Sequence, residues 1–132
     1  MSPLRLALTL HAAGDASPDT AWARYVEFAR WPGWSPQIVG VEADATRIAP
    51  GVRGRVRGPL GVPVDFVVET VDELARTWSW RAHLGPVGVW LWHSVEPRGD
   101  GCSTTLRVRG LPPVVLGYAP LARWALGRLV RA

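Results

Sequence analysis

The stretch RTWSWRAHLGPVGVWLWHSVEP, residues 76–97, carries four of the chain's eight tryptophans as two W-x-W pairs, Trp78 with Trp80 and Trp90 with Trp92. Apolar residues recurring at every second position on both sides of Gly85-Pro86 have the period of a β-hairpin. Residues two apart in a strand share a face, so each pair points one way. The register decides whether both pairs point the same way. A two-residue turn sets residue 80 opposite 91 and puts the pairs on opposite faces, whereas one bulged residue sets 80 opposite 92 and gathers all four. Phe66 and Val68 on the preceding run share a parity that continues into Trp78 and Trp80, which assigns those two to the inner side.

Outward from this hairpin, strand-like runs cover 39–48, 52–58, 63–72, 76–84, 87–96 and 102–110. They are separated by Pro50-Gly51, Gly58-Pro59-Leu60-Gly61, Asp72-Glu73-Leu74-Ala75, Gly85-Pro86 and Arg98-Gly99-Asp100-Gly101, and this punctuation predicts an antiparallel meander. Upstream, the alternation of Leu4, Leu6, Leu8 and Leu10 in MSPLRLALTLHAAGDA predicts a strand rather than a secretory leader. Ser17-Pro18-Asp19-Thr20 then starts a helix, with Trp22, Tyr25, Val26 and Ala29 at helical spacing. Trp31-Pro32-Gly33-Trp34-Ser35-Pro36 limits the next segment to a turn or one short helical turn. From Pro112 to Ala132 the pattern is helical again, and Pro120 is expected to kink or restart that helix. Leu121, Ala122, Ala125, Leu126 and Leu129 share its apolar face. Trp124 falls on the arginine side, where stacking on Arg128 or on another part of the protein is expected rather than deep burial.

The 132 residues suit one domain spanning 1–132. All fifteen basic residues are arginine against eleven acids, and a net charge of +4 is an ordinary surface excess. Arg53, Arg55 and Arg57 form an alternating stripe, but no aromatics interleave with them. A solvated strand face is expected there, not a nucleic-acid interface. The lone Cys102 can form no internal disulfide, which fits a reducing cytoplasm. No run of 18 apolar residues exists, so no stable membrane insertion is expected. His11, His83 and His93 lack metal-ligand spacing, and neither a nucleophile elbow nor a phosphate-binding glycine loop is present, so neither a metal nor a cofactor is expected.

The order of elements, with W-P-x-W-x-P closing the first helical part, G-x-x-G-x-V (Gly51, Gly54, Val56) opening the meander, R-T-W-x-W in the middle and a long terminal helix, resembles the START/SRPBCC superfamily. Within it the chain is most similar to the bacterial polyketide cyclase/dehydrase-like group, over roughly residues 3 to 131. The resemblance implies an α+β helix-grip fold: one strand, two short helices and six more strands forming a curved seven-stranded antiparallel sheet wrapped around a long C-terminal helix. It also implies an elongated cavity between sheet and helix, bordered by Gly58-Pro59-Leu60-Gly61 and Leu84-Gly85-Pro86-Val87.

The expected ligand is a hydrophobic small molecule, aromatic, polyketide or lipid-like. Trp31, Trp34, Phe66, Val68, Trp78, Trp80, Trp92, Leu121 and Ala125 are the candidate binding residues, since rigid aromatic walls hold flat guests at little entropic cost. His93 shares parity with Val87, Val89 and Leu91, and it stands with Tyr118 as a candidate acid or base should the protein be a cyclase or dehydrase. Aromatase/cyclases tend to place an arginine inside the pocket, whereas the inward positions here read as apolar, which favours binding. Asp65, Glu69, Arg81 and His83 alternate against the inner set and are expected at the surface. A third alternative is an interaction module in which exposed arginines and Trp124 meet a protein or an anionic surface.

Overall fold

A computed structural model describes residues 5–132. It contains seven strands, β1 (Leu6–Gly14), β2 (Gly40–Ala43), β3 (Arg53–Arg57), β4 (Pro63–Asp72), β5 (Thr77–Leu84), β6 (Val87–Arg98) and β7 (Gly101–Gly110), and three α-helices, α1 (Pro18–Val26), α2 (Trp31–Trp34) and α3 (Pro112–Leu129). The strands form one antiparallel sheet in the order β1-β7-β6-β5-β4-β3-β2. The expected meander is therefore present, with β1 added beside β7. The predicted alternation at Leu4 lies outside the described residues; Leu6, Leu8 and Leu10 fall in β1.

The hairpin register is that of the two-residue turn. Leu84 pairs with Val87 across Gly85-Pro86, and Trp80 pairs with Leu91. Gly85 has a φ of +58°, a left-handed value that a residue with a Cβ adopts at a cost. The two tryptophan pairs consequently occupy opposite faces. Trp78 and Trp80 face inward, while Trp90 and Trp92 pair across strands with Arg109 and Arg107, whose guanidinium carbons each lie 4.9 Å from the indole centroid. Cation–π pairs of this kind contribute about 0.5–1 kcal/mol each at exposed sites.

One extra residue in β4 keeps its two halves aligned with β5. Val68 pairs with Trp80 and Thr70 with Ser79, so Glu69 is bulged and both Glu69 and Thr70 reach outer partners, Arg81 at 2.8 Å and Ser79 at 2.6 Å. In β3, a Cβ on Gly54 would stand 2.5 Å from both Phe66 Cζ and the Glu42 carbonyl oxygen. Only glycine lets the Phe66 ring lie across that strand, which gives the G-x-x-G-x-V motif a packing reason. The arginine stripe is solvated as expected, with Arg55 on Asp65 at 2.8 Å and Arg57 on Glu42 at 2.9 Å.

Three expectations need correction. The run 39–48 is a strand only over Gly40–Ala43; beyond it Ile48 N–H donates to the Val26 carbonyl and Phe28 N–H to that of Thr46, so the chain leaves the sheet to anchor the end of α1. Of the two outcomes expected at Pro120, the restart is not seen: helix α3 runs through it as one element. Pro120 and Leu116 both lie on its exposed face, where a carbonyl without a donor can be hydrated. Trp124 stays 53% exposed and stacks on no described guanidinium, because Arg128 reaches across to the Gly33 carbonyl at 3.1 Å.

Helix α1 begins where its sequence predicts: the Ser17 hydroxyl oxygen accepts from Thr20 N–H at 3.1 Å, with Pro18 in the first turn and Asp19 beside the positive end of the dipole. Ser17→Ala is expected to cost about 1 kcal/mol, read as a lower urea midpoint at unchanged slope. The end of α3 is held by Arg24, whose Nη1 donates to the carbonyls of Leu129 at 2.7 Å and Arg131 at 2.6 Å. These contacts tie α1 to α3 and fix the helix over the sheet. Its closest approach is to β1 and β7.

Candidate functional site

Because α3 leans toward β1 and β7, the inner face of β4, β5 and β6 is left with a void rather than a packed layer. The cavity has a volume of about 500 Å³, within the roughly 300–1,000 Å³ typical of small-molecule sites. Of the predicted binding residues, Trp31, Trp34, Trp78, Trp80, Leu121 and Ala125 line it, as do both catalytic candidates, His93 and Tyr118. Both expected rims border it too, through Gly58 and Pro59 on one side and Leu84 and Val87 on the other. Leu84 and Leu121 are 51% and 37% exposed, so the mouth opens between the β5–β6 turn and α3.

Three predicted wall residues lie elsewhere. Phe66 and Val68 face inward but are buried behind the wall, Phe66 with its ring centroid 5.7 Å from that of Trp31 and 5.6 Å from that of Trp80. Trp92 is on the outer face under Arg107, since the two-residue turn gives it the opposite parity from Trp80. Sequence reasoning passed over Val89, Leu91 and Ala122 as wall residues, although their parity or helical spacing placed them on the inner face. Gln37 also lines the cavity, and the irregular segment after α2 carries no periodicity that could have found it.

The aromatic wall is fixed from behind by hydrogen bonds that its indole nitrogens donate. The W-P-G-W turn folds back on α1, so Trp31 Nε1 donates to the Tyr25 carbonyl at 2.9 Å and Trp34 Nε1 to the Arg24 carbonyl at 2.8 Å. On the sheet, Trp80 Nε1 donates to His93 Nε2 at 2.9 Å. Trp78 is 1% exposed and stacks on Trp80 and His93, with centroids 5.5 and 4.6 Å apart.

The partners of His93 define its tautomer. Its Nε2 accepts from an indole that can only donate, so the neutral ring carries its proton on Nδ1, 3.2 Å from the Tyr25 hydroxyl. Thr104 donates to the Ser94 carbonyl at 2.8 Å, which leaves its oxygen to accept from Tyr25 at 2.5 Å. The donors thus run Trp80, His93, Tyr25 and Thr104, ending on the Ser94 carbonyl, which accepts. Burial without a carboxylate pushes the His93 imidazolium down to about 3 and the Tyr118 hydroxyl up to about 12. Both groups are neutral at pH 7. Among the described residues, no arginine, aspartate or glutamate lines the cavity.

A seven-stranded antiparallel sheet packed on a long C-terminal helix, with an apolar void between them, is a helix-grip fold of Bet v1-like architecture. The chain belongs to the polyketide cyclase/dehydrase and lipid transport family, whose model matches residues 7–132. Among solved structures it is similar to Ara h 8.0201, at 14% identity and a TM-score of 0.72, covering 95% of this chain and 97% of the other. It is also similar to the hypothetical protein jhp0584 from Helicobacter pylori, at 13% identity and a TM-score of 0.71, covering 96% and 86%. At such identities these likenesses concern the fold alone. No curated protein matches the sequence significantly. Among the described residues, no helix is long and apolar enough to cross a membrane.

Proposed function

We propose that the protein, acting as one domain, binds an uncharged hydrophobic small molecule, aromatic, polyketide-like or lipid-like, in the cavity between α3 and the sheet. The observation that carries this reading is the composition of the wall: aromatic and aliphatic side chains, two neutral titratable groups and, at the rim, His83. An anionic group buried there would lose its hydration without gaining a cation. His93 supports binding over turnover, because its only lone pair for a proton already accepts from Trp80. It is a positioning residue that sets the angle of the aromatic wall. Tyr118, held neutral by burial, is suited to donating a hydrogen bond and not to removing a proton.

The test uses two fluorescent probes of similar shape, neutral N-phenyl-1-naphthylamine and the anionic 8-anilinonaphthalene-1-sulfonate. The neutral probe is expected to bind saturably at one per chain and at least tenfold more tightly, a difference of about 1.4 kcal/mol. Equal affinity for the two, or no saturable binding of the neutral probe, would overturn the reading.

A further inference from the structure

Among the described residues nine large apolar side chains are exposed, and six of them, Val39, Leu60, Val62, Leu84, Leu111 and Leu121, gather around the cavity mouth. The strand register places them there. Asp65 pairs with His83, so the β3–β4 connection and the β5–β6 turn share one end of the sheet. Val39 N–H donates to the Arg57 carbonyl beside the first, and Gly110, just before Leu111, pairs with Val89 beside the second. The three segments that build this end, residues 58–64, 84–92 and 110–122, hold no charged side chain. The opposite end has the composition of solvated turns, with Asp72, Glu73, Arg98 and Asp100 and a single large exposed apolar residue, Leu74.

Fold stability does not require this asymmetry. Leu60 is fully exposed and has a φ of +62°, a left-handed value that costs a leucine free energy. A strained apolar tip in water contributes nothing to the core, and clustered exposed apolar surface marks an interaction face.

The charges around that face select its partner. Arg5 precedes Leu6, which pairs with Gly110; Arg109 immediately precedes that glycine, and Arg123 lies two residues beyond Leu121. All three are exposed, and none has a carboxylate partner among the described residues. The acids toward that end, Glu42 and Asp65, are taken by Arg57 and Arg55. A second copy seated mouth to mouth would bring like charges together. An anionic lipid surface offers an apolar layer to the centre of the face and phosphates to its fringe.

We infer that the mouth end of the protein docks reversibly on an anionic lipid bilayer, with Leu60 and its neighbours in the interfacial layer and the arginines on headgroup phosphates. The cavity then opens onto the bilayer and not onto water. This contact is made by the outer rim and does not depend on what the cavity contains.

The test is flotation with vesicles of phosphatidylcholine alone and of phosphatidylcholine mixed with an equal part of phosphatidylglycerol. The protein is expected to bind the mixed vesicles about tenfold more strongly than the neutral ones and to be released by salt. Arg123→Gln is expected to weaken binding to the mixed vesicles about fivefold. Leu60→Asp places a charge at the tip, in a residue that tolerates a left-handed backbone, and is expected to weaken binding at least tenfold at an unchanged melting temperature. If neither kind of vesicle is bound, or if Leu60→Asp binds as the unaltered protein does, docking at this face is overturned. Equal binding to both kinds would overturn the anionic surface as partner. Concentration-dependent dimers in the ultracentrifuge without vesicle binding would assign the face to a second copy instead.

Discussion

Taking the protein from pH 7 to pH 4 is expected to remove roughly 3 kcal/mol of stability through His93 alone. The imidazolium of His93 is held down to about 3 in the fold by burial, against an ordinary value near 6.5 in an unfolded chain. Between those values the unfolded chain binds a proton that the folded protein does not. Stability is therefore fully present above about pH 6.5 and is lost progressively as pH falls toward about 3. Each unit in that window contributes about 1.4 kcal/mol. The groups packed around the ring cannot offset the loss, since Trp80 Nε1 only donates to it and the Tyr25 hydroxyl is held neutral by burial. Asp65, whose carboxyl the Arg55 guanidinium holds below its ordinary value, acts in the same direction from the surface.

His93→Gln separates the two contributions, because a glutamine amide can accept from Trp80 and donate to Tyr25 but does not titrate. Urea unfolding of both proteins at pH 7, 5.5 and 4 is the measurement. The unaltered protein is expected to be the more stable at pH 7 and to lose that advantage by pH 4. Parallel pH profiles for the two proteins would mean that His93 is not the group that titrates.

The face of His93 is legible in the sequence, as are those of Trp78 and Trp80, because each follows from a period of two along one strand. The number of residues in the Gly85-Pro86 turn then settles Trp92, and parity alone leaves it open: the same letters fit a wall of four tryptophans or two walls of two. The partners of His93 are a different kind of information. Tyr25 and Thr104 stand 68 residues before it and 11 after, on other elements, and no local pattern says that three polar groups meet. Glu69 illustrates a third limit. Its bulge keeps Phe66, Val68 and Val71 on the inner face although their spacing breaks the alternation, and only the pairing with β5 reveals it. Pro120 does not restart α3 for a physical reason, since the carbonyl it leaves without a donor lies on the exposed side, where water can serve it.

Replacing Ala122 and Ala125 together by phenylalanine is expected to abolish binding of N-phenyl-1-naphthylamine while leaving the protein folded. The two alanines stand three residues apart on α3, which puts them side by side on one face of the helix. They are 2% and 3% exposed and line the cavity opposite the tryptophan wall. The void of about 500 Å³ that the two alanines border can take up the added rings, so overpacking, which costs about 1–3 kcal/mol in a filled core, is not the expected result. New apolar contacts should instead hold or raise the melting temperature. Affinity should fall more than a hundredfold, the equivalent of about 2.7 kcal/mol or more. Trp124→Ala serves as the control, because Trp124 projects from the outer side of the same helix and is not part of the wall. Unchanged affinity in Trp124→Ala with loss in the double variant would place the probe in the cavity. The reverse pattern would move binding to the outer surface of α3, beside its arginines, and would favour an interaction module over a ligand carrier. A double variant that melts well below the unaltered protein would mean that the space between α3 and the sheet is too tightly packed to admit a guest.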